Sequence, residues 1–146
     1  MKVLGLFLVA AMMVTASAEA RSPIHTNYGY SYGAIAYRTL PASYYSSARY
    51  QVGTAGGYRN VYDAVDEALA ECGAGCGYYS FNNGCSGIAF TAPRYGLIAQ
   101  HGFVTATVSH RGSGRSTRQE VEHRLRVSCR SNPNVVCVDT FVACTN

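Results

Sequence analysis

Asn60-Val61-Tyr62-Asp63-Ala64-Val65-Asp66-Glu67-Ala68-Leu69-Ala70-Glu71-Cys72 is the stretch that decides the fold. Val61, Val65, Ala68, Leu69 and Cys72 recur with the period of one helix face, and the acids take the other. Asn60 suits the N-cap, Asp63 the positive end of the helix dipole, and Gly73 the stop. Laying Cys72 on Cys129 sets Asn60 on Thr117, Asp63 on Glu120, Ala64 on Val121 and Ala68 on Leu125. A second helix is therefore expected, with Thr117 as N-cap and Glu120 closing a capping box.

Strands flank each helix in the same order. Gly33–Tyr37 and Arg49–Val52 read as a hairpin before the first helix, ended by Gly56-Gly57. Gly77–Phe81 follows the helix, and Asn83-Gly84 tolerates the positive φ of a tight hairpin turn. Gly87-Ile88-Ala89-Phe90 repeats Ala34-Ile35-Ala36-Tyr37, Phe103–Val108 alternates cleanly, and Val135–Ala143 supplies the last strand. The chain is one strand-strand-helix-strand unit written twice, at 33–85 and 86–146. The predicted class is α+β, a mostly antiparallel sheet with two helices covering one side.

Met1-Lys2, the apolar run Val3–Val14 and the small residues before Ala20 read as a secretory signal peptide over 1–20. That apolar run is short for a membrane span of about 20 residues, so a secreted or periplasmic protein without a transmembrane anchor is expected. Residues 21–32 read as a flexible, Tyr-rich arm before a single domain over 33–146. In an oxidising compartment the six cysteines, Cys72, Cys76, Cys85, Cys129, Cys137 and Cys144, predict three disulfides. A zinc site is disfavoured because the triplets space differently and no histidine lies near Cys72, Cys76, Cys137 or Cys144. Pseudo-symmetry favours Cys72–Cys76 and Cys129–Cys137 as local pairs and Cys85–Cys144 as the bond between copies. One point opposes this scheme: if Cys137 faces the core, strand alternation sets Asp139 on the same face. Either the strand begins after Cys137 or Cys137 pairs elsewhere.

Tyr32–Tyr37, the Ala-rich helix ending in Cys72, Cys76, Asn83-Gly84-Cys85 and Gly87–Phe90 together resemble a bacterial family known as domain of unknown function 4189. The resemblance spans roughly Tyr32 to Cys144. It implies a small, exported, cysteine-bearing domain and carries no catalytic residue to this chain. The second copy departs from the family in its Arg-rich helix.

The copies differ in surface. Lys2 is the only lysine, and seven arginines from Arg94 to Arg130 face only Glu120, Glu122 and Asp139. All 12 tyrosines lie between Tyr28 and Tyr95. The loop around Arg111, Ser113, Arg115, Ser116 and Arg118 leads into a helix N-terminus and would suit an anion. Its other reading is a solvated loop, with Glu120–Arg124 and Glu122–Arg126 pairing one turn apart. Tyr44, Tyr45 and Tyr50 read either as amphipathic contact surface of the kind recognition loops use or as core and rim packing of a Tyr-rich strand edge. A hydrolase would have to draw on Ser109, His110, His101 and Asp139, and the chain has neither a Gly-x-Ser-x-Gly elbow nor a His-Glu-x-x-His helix.

The favoured expectation is a non-enzymatic binding domain with no metal or cofactor, directed at a protein partner as an inhibitor or immunity-type protein. A small hydrolase using His110 and Asp139, an envelope protein that binds an anionic polymer, and a purely structural envelope component are the alternatives. No nucleic-acid partner is expected.

Overall fold

The computed structural model describes residues 29–109 and 114–145, with the side chains of Gly114 and Arg115 left out. The signal peptide, most of the arm, His110, Arg111 and Ser113 lie outside the described residues. Eight elements follow in order: β1 (Tyr32–Leu40), β2 (Arg49–Tyr58), α1 (Val61–Cys72), β3 (Gly77–Asn82), β4 (Gly84–Pro93), β5 (Gly102–Ser109), α2 (Gly114–Arg130) and β6 (Val135–Cys144). The class is α+β, and each half of the chain is strand, strand, helix, strand.

The expected single sheet is instead two three-stranded antiparallel sheets, ordered β2-β1-β3 and β5-β4-β6. Alternation along the central strands explains why. On β1, Ala34 and Ala36 pack under α1 with Ala64, Val65, Ala68 and Cys72, whereas Ile35 points the other way. On β4, Cys85 and Ala89 pack under α2 with Val121, Leu125 and Cys129, whereas Ile88 and Phe90 point away. Ile35, Phe81, Ile88, Phe90 and Ala143 then meet as the layer between the sheets. The result is helix, sheet, sheet, helix, because both faces of each central strand are apolar and each needs a cover. Full burial of a side chain such as Ile88 or Phe90 contributes about 1.5–3 kcal/mol.

The helix-facing sides carry small residues because the helices come very close. A Cβ at Gly53 would run into the carbonyl oxygen of Ala68, and one at Gly87 would meet Leu125 and Val121 at 2.8 and 2.9 Å. The first helix is capped as expected: Asn60 Oδ1 accepts from the Tyr62 N–H at 2.9 Å, and Gly73, at φ 94, donates to the Leu69 carbonyl. The second is not. Helix α2 begins at Gly114, so Thr117 is buried within its first turns, and Glu120 accepts from Arg124 one turn on. The helix already runs from Gly114, ahead of the Thr117 that the repeat alignment marks.

Asn83 does not close a hairpin. Its φ of 43 turns the chain from one sheet into the other, and it exchanges hydrogen bonds with Ser31 through its N–H and Oδ1. The copies thus meet at Asn83, slightly before the expected break after Cys85. At this sealed pole Thr145 also bonds Gly84 through backbone and hydroxyl, beside the Cys85–Cys144 disulfide. All three expected bridges are present: Cys72–Cys76, Cys85–Cys144 and Cys129–Cys137.

Candidate functional site

The opposite pole carries the β1–β2 and β4–β5 loops and both helix-to-strand turns that the local disulfides staple. The two loops are equivalent in the repeats and dock on each other. Ala42 donates to the Ala99 carbonyl at 2.6 Å, and Gln100 Nε2 donates to Thr39 Oγ1 at 2.9 Å. Within the first loop, Ser43 and Ser46 exchange two backbone hydrogen bonds and their hydroxyls lie 2.8 Å apart. Tyr44 and Tyr45 are the two residues at the tip of that closed turn. Their rings stand edge to face at 5.1 Å and are 95% and 93% exposed. The second loop adds Tyr95, Ile98 and a Leu97 that is 96% exposed, and Phe103, also exposed, follows at the start of β5.

Large apolar side chains are not left in water by local necessity, because both loops are closed by polar and backbone contacts. Their exposure forms a surface of the composition found in recognition sites. Tyr44 and Tyr45 carried a sequence signal in their adjacency between two serines. Tyr95, Leu97 and Ile98 carried only a faint one: apolar residues outside either strand period, following Pro93.

Tyr50 does not share that surface. It sits at the root of the first loop, stacked on Phe90 at 4.1 Å and edge-on to His101 at 5.0 Å, and its hydroxyl donates to Asp139. His101, at the root of the second loop, is buried, and its Nδ1 has no hydrogen-bond partner among the described residues. Tyr50 and His101 therefore tie the loop roots together from inside. Asp139 reaches this face because β6 carries a bulge: Phe90 pairs with Asp139 but Thr91 pairs with Cys137, leaving Val138 as an extra residue. Cys137 thereby turns toward α2 while Asp139 turns toward Tyr50, which resolves the conflict in strand alternation.

Of the hydrolase candidates, His110 lies outside the described residues, and Ser109 is set apart from His101 and Asp139. Ser109 pairs with Gly84 and Asp139 with Phe90, six positions apart on β4 and so roughly 20 Å apart along the strand. His101 and Ser109 stand at opposite ends of β5. Of the anion-site residues, Ser116 is exposed and Arg118 pairs with Glu122 at 3.2 Å. Arg124–Glu120 at 2.8 Å and Arg126–Glu122 at 3.9 Å are the two expected neutralising pairs. The Arg124 hydrogen bond holds the Glu120 carboxyl below its ordinary range. Among the described residues no group of three or more His, Cys, Asp or Glu side chains is placed to hold a metal ion, and no helix is long and apolar enough to cross a membrane.

Compared with known proteins, the chain matches no family model, no curated protein and no solved structure.

Proposed function

We propose that this chain is an exported, disulfide-stabilised binding domain that captures a protein partner at its loop pole, in the manner of an inhibitor or immunity protein. The observation that carries the reading is the Tyr44–Tyr45 pair, displayed almost fully exposed on a turn closed by reciprocal hydrogen bonds. Tyrosine combines large contact area with few rotatable bonds, and it dominates interface hot spots. Ordering a side chain on association costs about 0.5–1.5 kcal/mol, and a turn that is already fixed adds little to that. Three disulfides fit an oxidising compartment.

A polyanion partner is less well supported. Arg118, Arg124 and Arg126 are committed to Glu120 and Glu122.

The test is affinity capture from an envelope extract under oxidising conditions, followed by titration of the recovered protein. Tyr44→Ala with Tyr45→Ala should weaken its binding by about 30-fold or more while the circular dichroism stays unchanged. Equal affinity for the double variant would remove the loop pole from the mechanism. Recovery of a polyanion alone, released by moderate salt, would replace the protein-partner reading.

A further inference from the structure

Four strands end the two sheets, and β5 has the edge that nothing blunts. The β2 register slips at Gly56 and Gly57, β6 carries the bulge at Val138 and a charge at Asp139, and β3 is only six residues long. By contrast β5 pairs with β4 in unbroken register over eight residues and contains no charge and no proline. Among the described residues no strand lies along its outer edge. Such an edge presents a row of free backbone donors and acceptors, which proteins ordinarily protect with charge, proline, a bulge or a short strand.

The residues on that edge also suggest what covers it. Val104-Thr105-Ala106-Thr107-Val108 reads the same in both directions. In an antiparallel pair centred on Ala106, Val104 opposes Val108 of a second copy, Thr105 opposes its Thr107, and Ala106 opposes Ala106. A two-fold axis then sets like beside like: valines on the helix-facing side and threonines on the other. Thr105 and Thr107 are both exposed, and Thr107 Oγ1 is held 2.7 Å from Ser86 Oγ, which fixes its rotamer before any pairing. Beside the edge runs a groove between β5 and α2, bordered by His123, Arg124 and Val127, with Val127 52% exposed. The same axis brings the second α2 alongside and covers Val127. Glu120 and Glu122 offset part of the charge of Arg118, Arg124 and Arg126, and salt screens much of the rest at this exposed surface.

We propose that β5 is a self-pairing edge, joining two copies of this chain antiparallel about Ala106 into one continuous six-stranded sheet. The site is separate from the loop pole, so either proposal stands without the other.

Sedimentation velocity between about 1 and 100 µM tests it, with a dissociation constant in that span expected for the dimer. Thr105→Lys with Thr107→Lys sets like charges opposite each other at both cross-strand pairs and should leave a monomer. Thr105→Lys with Thr107→Asp sets opposite charges there and should restore the dimer. Both variants alter the same two positions, so unchanged circular dichroism in both separates charge sign from a folding defect. A monomer throughout the range for the unaltered chain would overturn the proposal. So would a dimer that responds equally to the two variants, which would place the contact elsewhere, and so would an edge occupied only by a strand of another protein.

Discussion

The Tyr50 hydroxyl donates to the Asp139 carboxylate across the gap between the two sheets. Tyr50 belongs to β2 and Asp139 to β6, so one side chain links the halves of the repeat where the loops begin. Its ring does more than its hydroxyl, because it lies flat on Phe90 and against His101. Tyr50→Phe should therefore lose only about 0.5–1.5 kcal/mol, since Asp139 is exposed and regains water. Tyr50→Ala should lose about 3–5 kcal/mol and raise amide exchange in both loops. Equal losses in urea unfolding would show the hydrogen bond, not the stack, to be the main tie.

Cys85 and Cys144 are register partners on β4 and β6 and close a loop with a sequence separation of 59, against 4 for Cys72–Cys76 and 8 for Cys129–Cys137. Loop-closure entropy grows with that separation, so replacing both Cys85 and Cys144 by Ala should lose roughly 4 kcal/mol, more than either local pair. Thermal unfolding of the three double variants ranks them. A larger loss from Cys72→Ala with Cys76→Ala would mean that native geometry at the loop pole, not chain entropy, governs.

Gly53 is where α1 rests on β2. An added methyl would strike the Ala68 carbonyl and the Cys72 nitrogen, both backbone atoms that cannot swing aside. Gly53→Ala should destabilise by about 1–3 kcal/mol. Gly77→Ala, where the same methyl meets open space, should stay within about 0.5 kcal/mol of the parent. Similar midpoints in denaturant for the two would contradict the close helix approach.

The repeat made the elements readable and hid how they associate. The two apolar periods in Asn60–Cys72 and Val121–Cys129 marked the helices, and matching positions identified the disulfide partners. The same matching marked Thr117 as a cap that Gly114 pre-empts. Strand alternation could not foresee the bulge at Val138, because one extra residue reverses every later side chain and leaves no trace in composition. Asn83 has the residue type of a hairpin turn, yet a positive φ serves a crossover between sheets equally well. At the loop pole Tyr44 and Tyr45 were legible, whereas the docking of Ala42 on Ala99 depends on a distant loop and was not.

Tyr79 supplies a spectroscopic readout of the inter-sheet layer. Its hydroxyl donates to the Gly87 carbonyl at 3.1 Å, and burial pushes its pKa up from 10.0 to about 12. The folded chain therefore prefers the neutral phenol more strongly than the unfolded chain does. That preference is fully present below about pH 10, the ordinary tyrosine value, and is lost as pH rises toward 12. Phenolate absorbance should show a late step from Tyr79 that comes together with unfolding. Tyr79→Phe should remove the final step and flatten the fall in stability over that interval. A final step that persists in the variant would assign the late tyrosine elsewhere and leave Tyr79 open to solvent.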